Sequence, residues 1–164
     1  MTLPPFQRLV DEHWHAVGRL AHALAGPVDG DDVAQQAWTQ ALAAYPGLRT
    51  GENLRGWLLT ITARCATDLY RARARRPLPV EQLPDGGTND ADLPEADLPD
   101  DALWAAVRAL PERRRTALAL RYVADLDHAQ IARALSTTPA ASRRLVSDAL
   151  TTLRESLPVT QETR

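Results

Sequence analysis

The sequence predicts an all-α chain of two small helical domains, three helices followed by four with a helix-turn-helix, joined by an acidic, proline-rich linker. Three observations carry that reading. Apolar residues recur at steps of three and four in segment after segment, the period of an amphipathic helix. Breakers punctuate those segments: Gly26-Pro27, Pro46-Gly47, then Pro77 and Pro79. Charge is segregated as well. Residues 1–76 hold nine Arg against seven acids, 77–101 hold eight acids and no base, and 102–164 hold ten Arg against six acids. A net charge of −2 therefore hides two mildly basic bodies on an acidic strap.

Taken in order, 6–25 is the first helix, with Phe6, Leu9, Val10, Trp14, Val17, Leu20, Ala21 and Leu24 on one broad face. Gly26-Pro27 is expected to end it. Asp29-Gly30-Asp31-Asp32 opens the second helix, about 31–45, with acids where the helix dipole favours them. Its apolar face is Val33, Ala34, Ala37, Trp38, Ala41 and Tyr45, and Asp32, Gln35, Gln36, Thr39 and Gln40 lie on its exposed face. A polar loop, 46–53, leads to the central helix, 53–76. There Asn53 is placed to cap the first turn, and Leu54, Trp57, Leu58, Ile61, Cys65 and Leu69 form the buried face. A second stripe, Thr60, Arg64, Thr67, Arg71 and Arg75, suits an anion on the other side.

The strap, 77–101, has five prolines with Arg76 before it and the pair Gly86-Gly87. It is expected to be disordered in isolation and to reach about 80 Å extended, or about 28 Å as a flexible coil. Beyond it four short helices are expected. The first, 101–109, turns Leu103, Trp104 and Val107 inward. The second, 111–124, turns Leu118, Leu120, Tyr122 and Val123 inward. The third, 127–134, ends at the turn Ser136-Thr137-Thr138, and the fourth, 139–157, opens on Pro139. A short helix, a three-residue turn and a longer helix starting on Pro is the helix-turn-helix outline.

Composition narrows the function. A single Cys rules out an internal disulfide and a thiolate metal site, so a reducing cytosol is the expected compartment. No apolar run approaches the roughly 18 residues of a membrane span. All nineteen basic residues are Arg, which fits GC-rich coding as well as phosphate binding. His13, His15 and His22 do not share the three- or four-residue step that converging helix ligands need at 13 and 15. There is no nucleophile–base pair, glycine-rich phosphate loop or HExxH, so neither catalysis nor a cofactor is expected.

Three motifs carry a resemblance to a known family. DGDDVAQQAW (29–38), NLRGWLLTITARCATDLYRARARR (53–76) and ALPERRRTALALRYVADLDHAQIARAL (109–135) resemble, in order, the motifs of bacterial RNA polymerase sigma factors of the extracytoplasmic-function (ECF) subfamily. The resemblance implies a protein that binds core RNA polymerase and directs promoter-specific initiation. It implies an N-terminal domain, 1–76, for polymerase and the minus-ten element, and a C-terminal domain, 102–164, for the minus-thirty-five element. Asp32, Gln35 and Gln36 correspond to the polymerase-gripping surface. Arg49 and Asn53 correspond to the loop that receives a flipped base, where unstacking costs a few kcal/mol and needs a shaped pocket. Arg55, Arg64 and Arg71 would hold the melted strand, with Trp57 in the core. Arg143 and Arg144 would make phosphate or guanine contacts in the major groove, and Thr138 and Ser142 would add hydrogen bonds to the DNA backbone. Arg113, Arg114 and Arg115 precede the helix-turn-helix, where they meet flanking phosphates or polymerase, or else solvent. The strap would run through the polymerase interior as a nucleic-acid mimic, and control would come from an anti-sigma factor or from expression.

The chain departs from the family pattern in four places. Arg64 stands where Asn is common, Ser136-Thr137-Thr138 replaces a Gly-Ile-Ser turn, Ser142 takes a usually apolar anchoring position, and Asp148 takes a usually basic one. A free-standing helix-turn-helix regulator is the alternative reading. The pairing of 29–38 with the arginine-striped helix argues against it.

Overall fold

The computed structural model describes residues 2–75 and 101–157. Every regular element among them is helical, as expected: α1 Phe6–Ala44, a single 3-10 turn Tyr45–Gly47, α2 Leu54–Arg75, α3 Asp101–Ala109, α4 Glu112–Tyr122, α5 His128–Ala134 and α6 Pro139–Ser156. The acidic strap lies outside the described residues up to 100, and its last residue, Asp101, begins α3.

The first two expected helices are two limbs of α1, bent at one residue. Gly26 adopts φ 81°, ψ 177°, a conformation open essentially to glycine alone. Helix resumes immediately at Pro27, whose missing N–H is no loss in a first turn. The second limb thus starts four residues earlier than expected, and Asp29–Asp32 are helical rather than a lead-in. Asp29 holds the far end of α2 through a two-pronged ion pair with Arg73.

The limbs of α1 pack on α2 around Leu9, Val17, Leu20, Leu24, Val33, Leu58 and Leu59, all buried. An aromatic cluster closes the lower end. Phe6 meets Trp38 and Tyr45 edge-on at centroid distances of 6.1 and 5.2 Å, and Tyr45 lies 6.3 Å from Trp57, which is half-buried against the core. Trp14 departs from the expected core face and is 46% exposed, because the groove between the limbs stays open beside it. Asn53 does cap α2: its Oδ1 accepts from the Gly56 N–H at 3.0 Å.

In the second half, α4, α5 and α6 enclose Leu118, Leu120, Leu126, Ile131, Val146, Ala149 and Leu153. Asp127 and Gln130 form a reciprocal capping box at the start of α5, and Thr138 caps α6 by accepting from the Ala141 N–H at 3.1 Å. Tyr122, expected inside, is 62% exposed because α4 ends there and the chain turns through Asp125 at φ 56°.

The two halves also touch. Helices α1 and α2 meet α4, α1 meets α3, and α2 meets α5. Arg55 Nη1 donates to the Ala124 carbonyl at 2.6 Å, Arg71 lies 3.4 Å from Glu112, and the Arg115 guanidinium sits 4.1 Å over the Tyr70 ring.

Candidate nucleic-acid and polymerase interface

The outer face of the second α1 limb presents Asp32, Gln35 and Gln36 side by side, all exposed. Spacing of three and four puts them on one face, while Val33 and Ala37 anchor the opposite face in the core. Next to them, a groove of about 500 Å³ runs between the limbs, floored by Phe6, Trp14, Trp38 and Leu42. His22 bridges the limbs there, its Nε2 2.9 Å from Asp31 Oδ1. Gly30 leaves the room for that imidazole, since a Cβ at 30 would lie 2.6 Å from its ring.

The expected strand-binding residues divide into two groups. Arg49 and Asn53 are exposed on the loop before α2, and Arg64 and Arg71 are exposed on its striped face. Asn53 spends its side-chain oxygen on the helix cap, so its Nδ2 is what remains for a ligand. Arg55 is half-buried and turned to the Ala124 carbonyl. Arg64 and Arg71 line a crevice of about 270 Å³ whose other wall is Glu112, Arg113 and Thr116 of α4. In this arrangement the arginine stripe meets the second half of the chain.

On the helix-turn-helix, Arg143 and Arg144 project from the first two turns of α6 and are exposed, and Thr138 is exposed at its cap. Ser142 corrects the expectation made for it. It is 0% exposed, and its hydroxyl bonds His128 Nδ1 at 3.0 Å, so it ties α6 to α5 rather than facing DNA. The polar residue at the anchoring position keeps the anchor by hydrogen bonding where an apolar one would pack.

The arginine run 113–115 separates residue by residue. Arg113 donates to the Leu135 carbonyl at 3.2 Å, and Arg114 lies 3.7 Å from Asp148. Arg115 is buried, donating to the Arg108 carbonyl at 2.7 Å. The unusual acid at 148 therefore has a partner within the fold.

Sequence reasoning did not single out His128, Glu112 or Arg73. Only His128 left a local signal, since Asp127 and Gln130 at cap spacing fix where α5 begins and hence where His128 faces. Burial holds the His128 imidazole below its ordinary pKa, with Arg121 and Arg143 adding repulsion against the opposing pull of Asp127.

A two-half helical chain with an exposed arginine stripe on one helix and a helix-turn-helix in the other half has the make-up of a nucleic-acid-binding protein. The comparisons give the family. Residues 9–76 match the family model described as Sigma-70 region 2, and residues 100–153 match Sigma-70, region 4. The ECF RNA polymerase sigma factor ShbA of Streptomyces griseus is 32% identical over 133 residues, 76% of this chain and 69% of that protein. The RNA polymerase sigma-E factor of Streptomyces avermitilis is 27% identical over 153 residues, covering 93% of this chain and 84% of that one. The fold matches that of the sigma factor RpoE from Bartonella quintana, solved in complex with the anti-sigma factor NepR. That match has a TM-score of 0.75 and 22% identity, over 95% of this chain and 98% of the other.

The chain belongs to the ECF sigma factors of bacterial RNA polymerase. Its function is to bind core RNA polymerase and direct promoter-specific, DNA-templated transcription initiation, and its family is not a class of enzymes. Among the described residues, no helix is long and apolar enough to cross a membrane.

Proposed function

We propose that the work of initiation is divided between the two halves as domains, 1–76 and 102–164, with 77–101 as the linker. Core polymerase docks on Asp32, Gln35 and Gln36. The single observation behind this assignment is their shared exposure on a limb whose opposite face is fixed in the core. The open apolar groove beside them gives a docking helix a surface to bury, with the polar trio supplying orientation.

The first domain then captures the melted minus-ten strand. Arg49 and Asn53 line the loop that takes an extruded base, and Arg55, Arg64 and Arg71 neutralise phosphates along α2. Arg55 and Arg71 reach that strand once they leave Ala124 and Glu112. In the second domain, Arg143 and Arg144 enter the major groove of the minus-thirty-five element, and Thr138 adds its hydroxyl to a phosphate at the head of α6. The protein acts in the cytoplasm with its polymerase. An anti-sigma factor is the expected regulator, since the similarly folded RpoE was solved in complex with one.

The test is co-purification with bacterial core RNA polymerase, wild type against the double variant Asp32→Arg/Gln35→Arg. Wild type is expected to co-elute and the folded double variant to be lost from the complex. Retention of the double variant would move the polymerase surface elsewhere on the chain.

A further inference from the structure

Residues 46–53, the loop assigned to the extruded base, are fixed at their ends and open between them. At the entry the Leu48 N–H donates to the Tyr45 carbonyl at 3.1 Å, and at the exit the Asn53 side chain caps α2. Between those points Arg49, Thr50 and Glu52 are exposed, and among the described residues their side chains make no hydrogen bond or ion pair. Gly51 is the half-buried residue of that stretch. It turns toward the segment ahead of α1. A Cβ at 51 would lie 3.5 Å from Leu3 Cδ2, ordinary van der Waals contact, and Leu3 is itself half-buried against the core, as Leu48 is.

Two constraints place Leu3 there. Pro4 and Pro5 each fix their own φ and disfavour helix in the residue before them, so the chain stays extended until α1 begins at Phe6. The Pro4 carbonyl lies outside that helix and accepts from Tyr45 Oη at 2.5 Å, across 41 residues of sequence. Tyr45 is 9% exposed, its ring 5.2 Å from that of Phe6 and 6.3 Å from that of Trp57. One residue thus carries two supports of the loop. Its carbonyl receives the entry N–H, and its hydroxyl ties down the segment that meets Gly51. A phenylalanine would fill the same space, so the hydroxyl serves to position rather than to fill.

We infer that Leu3 and Tyr45 are positioning residues for base recognition: Leu3, held through the bond between Tyr45 and Pro4, braces the inner side of 46–53 so that Arg49 and Asn53 present one fixed geometry to an extruded base. The inference rests on the proposal that this loop receives a base. Selecting one base over the rest requires the hydrogen-bonding groups to be held in place, because a loop that yields accommodates any of them. Arg64 and Arg71 stand on α2 itself, so their phosphate contacts do not depend on the brace. Loss of the brace therefore removes selectivity before it removes affinity.

The experiment uses the full chain assembled with bacterial core RNA polymerase, with polymerase alone as background. The probe is a single-stranded DNA pool of about 12 randomised nucleotides, within the span of one strand-binding surface. Retained strands are sequenced and total retention is measured alongside. The position whose preference Asn53→Gly abolishes is the one the loop reads. There wild type is expected to enrich one base about tenfold. Leu3→Ala and Tyr45→Phe each reduce that enrichment to about twofold, while total retention and recovery of polymerase change by less than about twofold. Leu3→Met refills the contact and restores most of the enrichment.

Enrichment unchanged in both Leu3→Ala and Tyr45→Phe overturns the inference and leaves the base-receiving loop standing. Selectivity and total retention that fall together, with a lower urea midpoint, overturn it as well, since the contacts then serve the fold as a whole. A wild-type pool with no preference that depends on Asn53 removes the base-receiving reading itself, and the inference with it.

Discussion

Asn53 shows how one residue serves structure and ligand at once. It sits at φ 55°, left-handed, while its Oδ1 satisfies the Gly56 N–H. A Cβ at Gly56 would fall 2.4 Å from Asn53 Nδ2, so the cap also requires glycine there. Asn53→Ala loses the cap and strains the backbone, and is expected to cost about 1–2 kcal/mol by urea denaturation followed through tryptophan fluorescence. Asn53→Gly keeps the conformation and should cost only a few tenths of a kcal/mol. Any loss of promoter opening in that second variant then reports lost contact with the strand rather than a damaged helix. Cys65 gives a probe of the same domain. It is 4% exposed, and burial, with Asp68 adding to it, pushes its thiol up to about 11. Near pH 8 only about a thousandth of it is thiolate, so a thiol reagent is expected to react slowly with the native chain and rapidly once denaturant opens it. Fast labelling of the native protein would mean that α2 does not stay packed on α1.

At the scale of elements, the bend of α1 hangs on Gly26. A Cβ there would meet only the Arg108 side chain, at 3.6 Å, so the cost of Gly26→Ala is conformational rather than steric. It is expected to destabilise the first domain by about 1–3 kcal/mol, read as a lower midpoint in urea. A neutral result would mean that the limbs can join at another angle. The same bend shows what the sequence can and cannot tell. The Gly-Pro pair announced a break, but a break one residue long looks the same in sequence as a loop of five. Core faces were legible wherever periodicity ran long, as from Leu54 to Leu69 and in α6. They failed at Trp14 and Tyr122, where an element ends or a groove stays open, because periodicity marks a face without saying whether anything covers it. The exposed trio on the second limb was legible for the converse reason: buried Val33 and Ala37 fix where their neighbours point. Ser142 was misplaced because a hydroxyl on a recognition helix reads as a DNA contact until its partner His128, fourteen residues earlier, is seen.

At the scale of the molecule, the contacts between halves were not legible at all, since Arg55 finds Ala124 across 69 residues and Arg71 finds Glu112 across 41. They have a consequence for function. Two arginines assigned to the melted strand are engaged by the second half, so closure and strand capture exclude one another at α2. The balance between them is shallow. Arg71–Glu112 is an exposed pair at 3.4 Å and contributes at most about 1 kcal/mol, while the Arg55–carbonyl bond contributes about 1.5–3. The Arg115 guanidinium over the Tyr70 ring adds a cation–π contact to closure, and the enclosed Arg115 Nε, left without a hydrogen bond, offsets part of it. Removing contacts from partners outside the strand-binding set should therefore open the chain without touching its DNA residues. The double variant Tyr70→Ala/Glu112→Ala is expected to raise the radius of gyration in small-angle scattering. It should also bind a single-stranded oligonucleotide several-fold more tightly, since about 1.4 kcal/mol released from closure is worth a factor of ten. An opened chain that binds the strand no better would separate the two processes, and would mean that the arginine stripe is already free to act in the closed form.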